Sequence, residues 1–248
     1  MSERDHDLER SEELLHAWFL RHARDLPWRE TRDPYAILVS EVMLQQTQVE
    51  RVRPRYLAWL ARWPTVESLA AAAPGDVIRE WQGLGYNRRA LHLHRAATRV
   101  VADGWPEDLT ELPGIGPYTA AAIHCFAHGG DVLPVDVNVA RVLRRTGASF
   151  SAASAQALMD LGAKVCLARI PRCSACPLAD GCPSRGLRDA PLRKQGAFEG
   201  SFRQRRAATL RVVAEAPQGL HALDDEAVRA LERDGLVVVR EGTVALPG

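Results

Sequence analysis

Four of the chain's five cysteines, Cys166, Cys173, Cys176 and Cys182, share one short stretch with the spacing C-x6-C-x2-C-x5-C. No other feature of the 248 residues constrains the fold as tightly. Two cysteines separated by two residues can bind one centre from a single turn, which makes metal binding the natural use of the group. The competing use, a disulfide framework, belongs to small oxidised domains that cannot build a core. This chain is long enough to bury one or two ordinary cores unaided. Its acidic start, MSERDHDLERSEE, has none of the marks of a signal or transit peptide, and no apolar run approaches the ~20 residues of a membrane span. The expectation is a soluble, cytoplasmic monomer with no membrane partner, whose four thiolates hold a metal centre. Tetrahedral zinc and an iron–sulfur cube both suit four thiolates, and the spacing does not separate them. Cys125, in AAAIHCFAHG, stands apart and reads as inert packing.

Strand signals are nearly absent before residue 200, while apolar residues recur three and four apart between turn clusters. The spacing predicts helices over 9–24, 34–49, 51–63, 65–72, 74–82, 88–103, 117–128 and 137–146. Pro34, Pro74 and Pro117 occupy first helical positions, where a missing N–H costs nothing. Beyond a basic linker, RRAATLRVVAEAP and DDEAVRALERDG read as helices and LVVVREGTVALP as a hairpin turning at Glu-Gly. The fold class is therefore all-α with a small C-terminal winged-helix-like α+β tail. Net charge is +1 but unevenly spread, acidic at the ends and basic in the middle.

Three further places carry chemistry. In LPGIGPYT, Gly114 and Gly116 flank one apolar residue at a helix start; with Thr119 they can present free N–H groups to a DNA phosphate. Over 33–49, the helical period puts Ile37, Leu38, Leu44 and Gln45 on one face with Glu41. Burial disfavours a charged carboxylate, which is what a general acid near neutral pH requires, while a glutamate at the edge of the stripe with its head in water is the other reading, and the pattern alone favours it. Asp136, just before the helical VARVLRR, reads as an N-cap, and an ionised aspartate can also stabilise a sugar cation.

The motifs LPWRETRDPYAILVSEVMLQQTQV, GLGY, LPGIGPYTA, VDVN and MDLGAKVC with PRCSACPLADGC, in this order, resemble the helix-hairpin-helix DNA glycosylases of the endonuclease III/MutY superfamily, and MutY-type adenine glycosylases most closely. The resemblance runs from about residue 25 to 182. It implies a 4Fe–4S cluster on Cys166, Cys173, Cys176 and Cys182. It also implies a barrel domain over 31–135 with the helix-hairpin-helix, and a cluster domain from 1–30 with 136–185. A basic linker over 186–202 and the module over 203–248 would follow, with duplex DNA bound in the cleft between the first two domains. Glu41 matches the acid that protonates the departing purine, Asp136 the catalytic aspartate and Asn138 its neighbour. Tyr118 stands where lyase members carry a lysine nucleophile, which implies a monofunctional enzyme; Lys164 is the nearest other amine. Gln45 and Tyr86 match wedges beside the flipped and the opposite base, and Trp28, Arg29 and Asp160 match pocket-lining positions. Arg88, Arg89, Arg185, Arg188, Arg193, Lys194, Arg203, Arg205 and Arg206 can neutralise phosphates.

Two departures bear on the substrate. Only TGASFSAASAQALM separates Arg145 from Asp160, where MutY-like chains fit another helix or more, and the short tail stands where many carry a Nudix-like domain. Adenine opposite guanine or 8-oxoguanine is the first expectation; hypoxanthine or another deaminated base, or uracil or thymine opposite guanine, are the alternatives. A non-catalytic damage binder or winged-helix regulator would need neither Glu41 nor Asp136.

Overall fold

The computed structural model describes residues 3–190 and 196–248, with side chains from residue 9 onward at the N-terminal end. In chain order the helices are α1 (Glu3–His22), α2 (Pro34–Leu44), α3 (Val49–Arg62), α4 (Val66–Ala70), α5 (Pro74–Glu80), α6 (Arg88–Asp103), α7 (Pro117–His128), α8 (Val137–Thr146), α9 (Ala155–Lys164), α10 (Phe202–Glu215) and α11 (Asp225–Arg233). Three short strands, β1 (Gln218–Gly219), β2 (Val238–Arg240) and β3 (Thr243–Ala245), form an antiparallel sheet in the order β1-β3-β2. The chain divides into two compact units, Met1–Arg32 with Pro117–Lys194 and Asp33–Gly116 with Gln195–Gly248. The boundary expected at 135/136 thus falls at 116/117, and α7 belongs with the cysteine stretch. No helix among the described residues is long and apolar enough to cross a membrane.

In the unit of Asp33–Gly116, α2 departs from the amphipathic expectation. Every residue from Tyr35 to Met43 is buried, Ser40 and Glu41 included, so the helix has no solvent face. A helix apolar all round is a core helix, and aromatic rings wall this one in. Trp59 sits edge-on to both Trp63 and Trp81, and the Tyr35 hydroxyl donates to the Trp63 carbonyl at 2.9 Å. Asp33 caps the helix start, accepting from the amides of Tyr35 and Ala36. The helix stops at Leu44 rather than 49, because Gln46 takes a left-handed φ of 56°.

The C-terminal tail packs on α5 and α6 of the same unit through a cluster of its own. Leu210, Val213, Val228, Leu231, Leu236 and Val244 pack with Ile78 of α5 and Leu91 of α6. A side chain at Gly75 of α5 would put its Cβ 2.6 Å from the Pro247 carbonyl oxygen, so glycine is what admits the chain end there. The tail is thus an added layer of the unit, not a module with its own boundary at 202/203. Its hairpin turns at Glu241 (φ 49°) and Gly242 (φ 73°), both positive as a two-residue turn requires.

In the other unit, Leu15, Trp18, Val139, Val142, Leu158 and Leu161 join α1, α8 and α9. The helix α9 was not expected. Alanine and serine give AASAQALMDLGAK little contrast between faces, and Gly162 near its end argues against a helix until its use is seen. A Cβ there would lie 2.7 Å from that of Asn138, so glycine lets α9 close onto α8.

Candidate active site and cysteine centre

In the second unit, Glu41 lies near the end of α2, buried at 7% exposure. Gln45 follows as the residue that ends the helix. Tyr86 is half exposed, at 51%, and holds a left-handed φ of 46°. Left-handed backbone is costly for any residue but glycine, so a tyrosine held there is fixed by its surroundings. Arg89, expected on phosphate, is instead buried at 8% exposure. Arg88 stays exposed, with Asp234 at 3.8 Å.

The hairpin before α7 alternates. Leu112 and Ile115 are buried anchors, while Gly114 and Gly116 face outward. Gly114 has a φ of 80°, and a Cβ on it would strike the His92 side chain at 2.7 Å. Gly116 has no protein atom within 4 Å of where a Cβ would stand, which leaves its backbone open to an approaching ligand. Thr119 is buried. Tyr118, half-buried, sits in the first turn of α7.

Asp136, in the first unit, caps α8, accepting from the amides of Asn138 at 2.9 Å and Val139 at 2.7 Å. The Asn138 side-chain amide donates to its other oxygen at 2.9 Å. Arg141 holds Asn138 in turn, donating to Asn138 Oδ1 at 2.7 Å, to the Gly162 carbonyl at 2.7 Å and to the Cys166 carbonyl at 2.6 Å. A continuous polar chain thus runs from the Asp136 carboxylate to the backbone of the first cysteine of the cluster spacing. Arg29 and Asp160 also come together. Asp160 is fully buried and takes two donors from Arg29, at 2.7 and 2.9 Å, and two from Arg24. Burial alone would push its carboxyl up; the Arg29 and Arg24 donors outweigh that and hold it below the ordinary aspartate value. Trp28 is buried in the 3-10 turn before α2. Lys164 donates from Nζ to the His22 carbonyl at the end of α1, 2.7 Å away, and is committed there.

Residues 39–166 match the family model described as HhH-GPD superfamily base excision DNA repair protein. An adenine DNA glycosylase of Mycobacterium tuberculosis is 41% identical over 96% of this chain and 94% of its own length. The human adenine DNA glycosylase is 37% identical over 75% of this chain and 42% of its own. This chain belongs to the HhH-GPD superfamily, and it is a base-excision DNA glycosylase. A solved thermostable thymine-DNA glycosylase superposes with a TM-score of 0.66 at 26% identity, over 72% of this chain and 96% of the other. Endonuclease III in a trapped complex with DNA superposes at 0.61 and 20% identity, over 74% and 97%, and shares the fold.

In this glycosylase one cavity is lined by Cys166, Cys173, Cys176 and Cys182 together with Arg145. Two of the four sulfurs accept hydrogen bonds, while Cys182 Sγ donates to the Arg145 carbonyl at 3.4 Å and burial pushes the Cys176 thiol up to about 11. The Gly186 amide donates to Cys173 Sγ at 3.3 Å and an Arg145 amine to Cys166 Sγ at 3.5 Å. Arg145 Nε is buried with no partner among the described residues, which leaves a donor for an acceptor in the cavity. Among the described residues no three Cys, His, Asp or Glu side chains are gathered as ligands of a single metal ion. Residues 186–190, expected in the linker, are tied to this loop: the Asp189 amide donates to the Ala168 carbonyl and its carboxylate pairs with Arg144 and Arg145. Arg193 and Lys194 lie outside the described residues. Arg205 and Arg206, expected on phosphate, pair with Asp224, Glu226 and Asp234 within the tail. Arg185 lies 3.7 Å from Asp180, and Arg203 donates to the Gly196 carbonyl.

The residues missed from sequence are arginines. Arg24, Arg141 and Arg145 read as ordinary basic positions, and only Arg141 carried a signal, three residues after Asn138 in a helix.

Proposed function

We propose that this glycosylase removes adenine paired with guanine or 8-oxoguanine, by hydrolysis and without a covalent intermediate. Glu41 donates a proton to the purine, which leaves as the neutral base while the C1′–N bond breaks. Asp136, held by the α8 amides and Asn138, stabilises the positive charge on the sugar, and water adds at C1′ and loses its proton. Tyr118 borders the reacting sugar; a phenol cannot form a Schiff base, so the product is an intact abasic site. Gln45 and Tyr86 enter the duplex as wedges, and Gly114, Gly116 and the Thr119 amide hold a phosphate. Trp28, Arg29 and Asp160 support the pocket wall.

Cys166, Cys173, Cys176 and Cys182 hold a 4Fe–4S cluster, with Arg145 supplying donors to it. When bound, the cluster cross-links the loop and fixes the Cys166 end of the chain of contacts that reaches Asp136.

The observation that carries the choice of adenine is the 41% identity to an adenine DNA glycosylase over nearly the whole of both chains. The test is a single-turnover panel pairing A, hypoxanthine, U and T with G, C, T and 8-oxoguanine. Fast loss of adenine opposite 8-oxoguanine or guanine supports the reading; efficient loss of another base with adenine untouched overturns it. Thymine or uracil opposite guanine is the second reading, favoured by Tyr118 and by the likeness to a thymine-DNA glycosylase. Borohydride added to the same reactions should trap no enzyme–DNA adduct.

A further inference from the structure

Arg89 makes more side-chain hydrogen bonds than its place on a basic helix suggests, and all of them go to two turns. Its Nη1 donates to the carbonyls of Val42 at 2.7 Å, Met43 at 3.1 Å and Gln45 at 2.7 Å. Its Nη2 donates to the carbonyls of Leu84 at 3.3 Å and Gly85 at 2.9 Å and to the Thr47 hydroxyl at 3.1 Å. Its Nε reaches the Tyr86 carbonyl at 3.4 Å. The guanidinium also lies near two rings, 5.1 Å from that of the buried Trp81 and 5.7 Å from that of the half-exposed Tyr86.

Both turns need such a partner. The Leu44 carbonyl takes the Thr47 amide at 3.2 Å, but the chain turns away at Gln46 and brings no backbone amide to the carbonyls of Val42 and Met43 among the described residues. The other turn strings together Gly83, Gly85 and Tyr86, all at positive φ, and lacks a regular ladder of its own. A planar fork of five donors can serve both at once; a lysine, with its donors on one atom, cannot span them. Burial lowers the pKa of Arg89 to about 10, so the cation persists at neutral pH.

We propose that Arg89 is the positioning residue that holds Gln45 and Tyr86 in one register, so that the two enter the duplex as a single rigid tool. This rests on the reading above that both residues are wedges. Unstacking a base pair costs a few kcal/mol, and a wedge that gives way when it meets the stack returns none of it. The guanidinium transmits the load from each turn to the other and to Trp81.

The probe is a substrate duplex with 2-aminopurine next to the base opposite the excision site, whose fluorescence rises on unstacking. Wild-type enzyme should raise it. Arg89→Lys, at a temperature where circular dichroism shows it folded, should lose most of the rise and of the single-turnover rate. Its duplex Kd should stay within about threefold, since phosphate contacts set affinity. A folded Arg89→Lys enzyme with the full rise overturns the proposal. Gln45→Ala and Tyr86→Ala separate the two layers. If the rise survives in both, the wedge reading fails; if it is lost in them but kept in Arg89→Lys, only the role of Arg89 fails. Should Arg89→Lys not fold, the wild-type enzyme labelled with 15N-arginine decides. The Arg89 Nε–H signal should shift with the substrate duplex and not with an undamaged one, and an equal response to both sinks the idea.

Discussion

Glu41 and Asp136 are the same functional group prepared in opposite ways. Glu41 sits in a helix buried on every side, among residues chosen for bulk, in the unit built on Trp59, Trp63 and Trp81. Asp136 sits at a helix start in the other unit, surrounded by donors that Arg141 and the α9 backbone hold in place. The two carboxyls are thus held by different means, one within a buried helix and one by donors at a helix start. The contrast also separates two kinds of support: dense packing on one side, a relay of hydrogen bonds on the other.

The largest effects should come from the carboxyls themselves. Glu41→Gln removes the proton donor and should slow single-turnover base release by about 10²–10⁴, the usual worth of general acid catalysis. Asp136→Asn keeps the shape but not the charge, and should cost about 10²–10³. Neither touches a phosphate contact, so duplex Kd should hold within about threefold. Near-normal rates in either variant would remove that residue from the chemistry.

Next in size is the ion pair that braces the unit of Asp136. Asp160 is fully buried between Arg29 and Arg24, and Asp160→Asn strands a buried guanidinium, which should cost about 3–5 kcal/mol of unfolding free energy. The folded pKa of Asp160 lies below its ordinary 3.8. The stabilisation is therefore complete above that value and drains away as pH falls through the folded pKa. Denaturant titrations of wild type and variant should converge in strongly acid solution; a gap that stays constant down to pH 2 would contradict the pairing.

These particulars show what the amino-acid string reveals and what it hides. The cysteine spacing, the glycines around Ile115 and the proline-started helices are local signals, and the ends of α6, α7 and α8 fall where the periodicity puts them. Capping of α8 by Asp136 was legible for the same reason, since a cap acts within three residues. What stayed hidden is long-range. Arg89 looks like a surface base because its partners on α2 and in the turn after it lie more than forty residues back in sequence. Arg24 and Asp160 are 136 residues apart. The solvent face expected for α2 fails because periodicity reports contrast between faces, and Tyr35–Met43 offers too little of it. The helix α9 escaped because its glycine is explained only by the approach of Asn138.

The relay that supports Asp136 should be measurable away from the carboxylate. Arg141→Ala removes the donor to Asn138 Oδ1 and to the carbonyls of Gly162 and Cys166. A roughly tenfold loss in single-turnover rate is expected, about 1.4 kcal/mol of transition-state stabilisation. Arg141→Lys should recover part of it, and the iron content per folded chain should be unchanged. Loss of iron in proportion to activity would mean that Arg141 serves the cysteine loop and not the aspartate.

The smallest effect tests the other kind of support. Ile37 is 1% exposed on α2, and it lies one turn before Glu41, on the same side of the helix. Ile37→Val removes one methylene from that packing and should cost about 0.5–1.5 kcal/mol of stability. The rate should move by less than twofold. Asp33 still caps the helix start, the Tyr35 hydroxyl still bonds to Trp63, and Arg89 still takes the carbonyls at the far end. With both ends fixed, a small void beside Glu41 has no way to tilt the helix that carries it. Thermal unfolding and single-turnover assays on one preparation decide the point. A stability loss with an unchanged rate keeps packing and relay distinct. A tenfold rate loss from one methylene would mean that Glu41 depends on its neighbours as finely as Asp136 does, and the contrast between the two kinds of support would no longer hold.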